Sequence, residues 1–440
     1  MEIIGKFASI ANPEMKWEVL QPNEHGDWLS QRNDVFDTLI PIAPEKKFNL
    51  KNQSFFNTYS NGVVSSRDAW IYNFSKSELS SNMTRMINFY TSQRKKHKIG
   101  IEKKSPEVLD LIDNEPSMIS WSVNLKRDLI NNVEHKFFSK AISESLYRPF
   151  TKHRIYFDRV FIERPGFNDS FFPSEKNENV AIGITGLGSS KSFSPLITNL
   201  AFDFQTLMNG LIFPLYFYEE QDKQSPTLWD AVGESDYIRR DGVSDFILER
   251  AKKMYGKNVG KEDIFYYVYG ILHSPEYRIT FANDLKKTLP RLPLVEEVRD
   301  FWKFSKTGRQ LAELHINYES VPPYAGVQVS GADSNFYKVE KMRFPKKGQQ
   351  DTINYNSKIV VSNIPAKAYE YVINGKSAIE WIMERYAVTT HPESGIQNDP
   401  NDWANEVSNP RYILDLLLSV INVSVQTVDL VNGLPKLKFE

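Results

Sequence analysis

The sequence predicts an α+β fold, with several packed helices and sheet built from scattered short strands. Apolar residues recur at helical spacing in two segments, short β-like runs stand between them, and no internal repeat or low-complexity tract points to a solenoid or array. In chain order, RIYFDRVFI (154–162) and NVAIGIT (179–185) read as strands. DIFYYVYGIL (263–272) is apolar and aromatic throughout, so periodicity leaves helix and strand open. IVVSNI (359–364) reads as a further strand. In SAIEWIMERY the residues Ala378, Ile379, Ile382, Met383 and Tyr386 share one helical face, and YILDLLLSVINVSV, from Tyr412, predicts a second helix.

A chain of 440 residues exceeds one ordinary core and suggests two or three domains. Turn-rich, charged stretches place boundaries near 130 and 300, giving segments 1–130, 131–300 and 301–440. Hydrophobic residues at 41% and charged residues at 25% are ordinary for a folded protein and argue against disorder. Cysteine is absent and the seven histidines lack paired ligand spacing, so neither disulfides nor a structural metal is expected. The opening MEIIGKFASIANPEMKW lacks the apolar run of a signal peptide. No stretch is read as a membrane helix, and the cytoplasm is the expected compartment.

The formal net charge is −1, so any polyanion-binding surface must come from segregated charge. From Arg85 to Lys104, seven Lys or Arg face Glu102 alone. From Lys338 to Lys358, six face Glu340 and Asp351; the part from Lys338 to Lys347 is a third-ranked candidate surface that could instead be the solvated face of a hairpin. The segment YFYEEQDKQSPTLWDAVGESDY (216–237) carries six acids and one lysine and reads as an exposed loop or linker.

The densest basic element is SLYRPFTKHRIYFDR (145–159). It sets Arg148, Lys152, His153, Arg154 and Arg159 among Tyr147, Phe150, Tyr156 and Phe157. As a strand it would turn Lys152, Arg154, Tyr156 and Asp158 outward, with His153, Ile155 and Phe157 inward. Cations neutralise phosphates, and Arg and aromatic planes read or stack on bases. The alternative is a structural strand whose arginines pair with distant acids.

Catalytic motifs are not found. In GITGLGSSKS, Gly183 and Gly188 have phosphate-loop spacing, but Lys191 comes two residues too late, and a glycine turn beside a strand accounts for the segment. SNPRY (408–412) is explained by Asn409 as a helix cap with Pro410 at the first helical position. Asp37, Glu45 and Lys47 can be fitted to a nuclease pattern, but chance matches are expected among 55 acids. There is no serine elbow, zinc-binding His pair or dinucleotide fingerprint.

Five segments occur in order: PNEHGDWLSQRNDVF (22–36), SNGVVSSRDAWIYNFS (60–75), SLYRPFTKHRIYFDR, DIFYYVYGILHSPEYRITFANDLKKTLPRLP (263–293) and GKSAIEWIMERYAVTTHPESGIQNDPNDW (375–403). Together they resemble the C-terminal target recognition region of type ISP restriction-modification enzymes, over nearly the whole chain. The resemblance implies an α+β region with mainly antiparallel sheet that recognises duplex DNA. It would position an adenine for methylation and control cleavage. It also implies nuclease, helicase-like and methyltransferase modules as partners. S-adenosylmethionine, ATP and Mg²⁺ would serve those modules, with no cofactor in this chain. The chain is read as a truncated form rather than a separate specificity polypeptide, and as non-catalytic alone. The expected DNA contacts are Arg148, Lys152, His153, Arg154 and Arg159; Arg94, Lys95 and Lys96; Arg67, which could instead pair with Asp68 to order a turn; and Lys286, Lys287 and Arg291, which could instead end a helix favourably. The alternative function is a scaffold that docks the other modules without base readout. Reversing Arg148, Lys152 and Arg154 to Glu is expected to separate the two.

Overall fold

In a computed structural model, residues 19–44, 53–103, 105–221 and 236–439 are described. Glu45, Lys47, Lys104 and the middle of the acidic segment, 222–235, lie outside them.

Helices form where apolar spacing and caps agree. Lys76–Lys96 begins at Ser75, whose hydroxyl accepts from the Glu78 amide, and it buries Leu79, Met83, Met86, Ile87 and Tyr90 along one stripe. Ala378–Arg385 starts with a reciprocal capping box of Ser377 and Glu380. The ambiguous aromatic run is a helix, Lys261–His273, buried on nearly every side from Ile264 onward. It lies against Val298–Ile316 so closely that a Cβ on Gly308 would sit 1.9 Å from the Tyr266 carbonyl oxygen. SNPRY is modified from expectation. Asn409 makes an Asx turn with its side-chain oxygen on the Arg411 amide, and the helix starts two residues later, as Tyr412–Asn432.

That last helix corrects the expectation that no segment could be a membrane span. It is long and apolar enough by length and composition, because Ser419, Asn422 and Ser424 interrupt its apolar run without lowering the average much. Most of it is nevertheless packed within the protein, as in an ordinary core helix.

The sheets are small and mainly antiparallel. One has the order Ser60–Asn61, Leu211–Pro214, Ala181–Ile184, Pro195–Thr198, antiparallel throughout. The other has the order Tyr72–Asn73, Thr151–Tyr156, Ile142–Arg148, Ala201–Phe202, with only the last pair parallel. Val360–Ser362 is the centre of a three-stranded sheet. The ends of the acidic segment are not loop. Tyr216–Glu220 pairs antiparallel with Tyr237–Asp241, with Phe217 packed into one hydrophobic cluster and Tyr216 against another on the opposite face of the ribbon. The glycine turn after Ala181–Ile184 is as expected, with Gly188 at φ +68°.

Three hydrophobic clusters fill the interior. One runs from Val63 to Ile396 through Leu125, Leu129 and Ile155, and another joins Phe36 to Leu272, Phe301 and Leu311. Side chains from both sides of positions 130 and 300 thus share cores.

Candidate nucleic-acid interface

The basic stretch folds as a β-hairpin. Ile142–Arg148 pairs with Thr151–Tyr156 around Pro149 and Phe150, and Phe150 takes φ +55° while its ring is buried. Strand geometry ends at Tyr156, which is buried with its hydroxyl accepting from the Phe138 amide. The expected outward phenol is therefore an interior one.

Most of the hairpin cations are used within the protein. Arg148 is buried, with Nη1 2.7 Å from the Asp203 carboxylate and Nη2 3.4 Å from that of Asp68, and its guanidinium lies over the Tyr147 ring. Burial pushes the Asp203 carboxyl up to about 7 even though Arg148 draws it down. Lys152 donates to Glu319 at 2.8 Å. Arg154 pairs with Glu144 and Glu406 and covers the Trp403 ring. His153 lies 4.1 Å from the Phe74 ring and 4.3 Å from the Tyr147 ring, and burial holds its imidazole well below the usual histidine range. As folded, His153 is enclosed between aromatic rings and Arg148 is held by two carboxylates, so neither is presented to a phosphate, contrary to expectation. The acids responsible, Asp203, Glu319 and Glu406, come from distant segments, and no local spacing announces them.

Arg67 also departs from expectation. It is 5% exposed and makes no ion pair with Asp68 among the described residues; Asp68 is held by Ser65, Tyr147 and Arg148 instead. The Arg67 Nε and Nη1 atoms are buried without a hydrogen-bond partner.

The remaining cations are nearer the surface. Arg94 donates to the Asn132 carbonyl and approaches Glu134 at 3.8 Å. Arg159 is exposed and paired with Asp169. Lys287 reaches Asp27 and the Ser30 carbonyl, and Arg291 the Leu39 carbonyl. Lys95 and Lys96, in the last turn of their helix, and Lys286 are exposed and have no ion pair among the described residues. They are the cations of the expected set left available to a polyanion.

The family described as the type ISP C-terminal specificity domain matches residues 54–416. The chain belongs to this family. The type ISP specificity fold is also seen in solved structures. A nuclease-deletion mutant of the type ISP restriction-modification enzyme LlaGI, in complex with a DNA substrate mimic, is 36% identical with a TM-score of 0.84, over 97% of this chain and 37% of that one. The ATP-dependent type ISP restriction-modification enzyme LlaBIII, bound to DNA, is 34% identical with a TM-score of 0.82, over 96% of this chain and 26% of that one. In the DrdV–DNA complex, at 24% identity and a TM-score of 0.80, the fold alone is shared, over 96% of this chain and 41% of that one. No curated protein matches the chain. The chain thus spans less than half the length of each of these proteins.

Proposed function

We propose that the chain recognises a specific duplex DNA sequence for a type ISP restriction-modification enzyme. The observation that carries this reading is similarity along nearly the whole chain to two type ISP enzymes whose structures hold DNA or a DNA mimic. In the intact enzyme it presents the target adenine to a methyltransferase module and licenses cleavage by motor and nuclease modules, which use S-adenosylmethionine, ATP and Mg²⁺. Alone, in the bacterial cytoplasm, it binds DNA and transfers nothing. Lys95, Lys96 and Lys286 touch phosphates, with Arg94, Arg159, Lys287 and Arg291 joining if DNA displaces their present partners.

A second reading, a scaffold that docks the other modules without base readout, is favoured by the inward pairing of Arg148, Lys152 and Arg154. Reversing those three to Glu no longer separates the readings, since it would strand the buried Asp203 carboxylate, set like charges against Glu144, Glu319 and Glu406, and so disrupt the hairpin itself. The deciding experiment is selection of duplexes with a randomised core by the purified chain, at low and near-physiological salt. Enrichment of one short sequence that persists as salt rises supports recognition. Binding that collapses with salt and shows no preference supports the scaffold. Methyl transfer by the chain alone would contradict its non-catalytic role.

A further inference from the structure

The loop Gly62–Asp68 is fastened on every side. The Gly62 amide donates to the Gly210 carbonyl at 2.9 Å, Val63 to Phe202 at 2.7 Å, and Val64 exchanges backbone hydrogen bonds with Arg164. Gly62 has no room for a side chain, because a Cβ there would lie 2.6 Å from the Phe204 amide nitrogen. Farther along, the Ser65 hydroxyl bonds Asp68 and accepts from the Arg67 amide. Tyr147 and Arg148 then hold the same carboxylate from the hairpin. Between these anchors Ser66 is exposed at φ +55°, a strained conformation for a residue with a side chain.

This rigid loop ends in a mismatch. Arg67 as a residue is only 5% exposed, and its enclosed Nε and Nη1 donate to nothing among the described residues. Glu163 supplies a favourable field but forms no ion pair with it among the described residues, and burial lowers the guanidinium to about 10. Leaving charged donors buried and unmatched is costly, so a side chain that served only the fold would be paired, as Arg148 is. A group held rigidly with its donors unmet is the arrangement expected of a preorganised contact.

We propose that Arg67 contacts DNA directly, its guanidinium completed by hydrogen-bond acceptors of the duplex. This rests on the recognition reading above. The acceptor is a guanine edge or a phosphate oxygen, which share this chemistry.

The test compares wild type, Arg67→Met, Arg67→Lys and Glu163→Gln. Each is measured for thermal unfolding and for binding both to the duplex selected by the wild-type chain and to an unrelated duplex, across a salt series. Arg67→Met removes an unmatched buried charge, so its melting temperature stays level or rises. Its affinity for the selected duplex falls about tenfold or more, and Arg67→Lys, lacking the planar fork, does not restore it. Loss confined to the selected sequence, with relaxed preference at one base pair, identifies a base edge. Uniform loss across sequences, with a salt slope lower by about one, identifies a phosphate. Glu163→Gln leaves affinity within about threefold. The proposal is overturned if Arg67→Met binds like wild type. It is equally overturned if Arg67→Met melts well below wild type or fails to fold, since Arg67 is then structural. A wild-type chain that selects no duplex refutes the recognition reading itself, a result distinct from these.

Discussion

At the scale of single residues, the hairpin shows how a basic sequence becomes part of a core. Arg148 neutralises Asp203, which is only 2% exposed, and also holds Asp68. Arg148→Met leaves the Asp203 charge without its closest partner and is expected to cost about 3–5 kcal/mol in urea unfolding. Asp203→Asn added to it should recover part of that, and a single-variant loss under about 1 kcal/mol would show that the pair is dispensable. Three imidazoles set a pH dependence. His153 faces Arg148 and Arg385, His273 faces Arg278 and the Tyr269 carbonyl, and His315 faces His273; burial lowers all three, His273 to about 3. Because they stay neutral in the fold but take up protons when unfolded, their stabilisation is present above the unfolded value of about 6.5 and is lost as pH falls below it. Each is worth about 1.4 kcal/mol between pH 7.5 and 5.5. Asp203, raised toward 7, opposes this, because its protonated form favours the fold in the same window. His153→Phe isolates one imidazole and should remove about 1.4 kcal/mol of the pH-dependent loss; an unchanged pH profile would refute it. The sequence shows which residues are cationic, but not that Glu319 and Glu406 wait for two of them. Ion pairing across the fold is set by topology, which local spacing does not encode.

At the scale of elements, legibility follows the range of the forces. The helix at Ala378–Arg385 is readable because its periodicity and capping box are local, and Tyr412–Asn432 is readable from its apolar run though its start is not. Two-residue strands such as Tyr72–Asn73 are not, since they exist only through pairing with Ile155 and Arg154. The run DIFYYVYGIL is undecided in sequence because a helix buried all round has no polar face to mark its period. Its partner is declared by glycines instead. A Cβ on Gly270 would lie 2.4 Å from the Phe304 carbonyl oxygen, and one on Gly308 1.9 Å from that of Tyr266. Gly308→Ala gains about 1 kcal/mol of helix propensity but must push two helix backbones apart. The clash wins, and a net loss of about 1–3 kcal/mol in chemical denaturation is expected. A stabilised variant would mean that the helices can separate freely.

At the scale of the whole molecule, charge decides how DNA is met. The chain is nearly neutral overall, so attraction to a polyanion depends on cations that the fold has not already neutralised. Of the contacts expected from the sequence, pairing removes Arg148, Lys152 and Arg154 and burial removes His153, leaving Lys95, Lys96 and Lys286 exposed and unpaired among the described residues. These three touch little of the protein, so changing them to Glu should move stability by under about 0.5 kcal/mol each. If they lie on phosphates, each loses a counterion-release contribution of about 0.9 in the slope of log affinity against log salt. The triple variant should then bind more weakly at low salt, with a slope shallower by about two to three, while still preferring the same sequence, because phosphate contacts set register without reading bases. Titration of the selected duplex over a salt series measures both quantities together. A triple variant with an unchanged slope would place the phosphate contacts on other cations, either the exposed ones of the run 338–347 or the partly engaged Arg94, Arg159, Lys287 and Arg291. In the second case DNA would have to break ion pairs to bind, and association would be slower and less dependent on long-range steering.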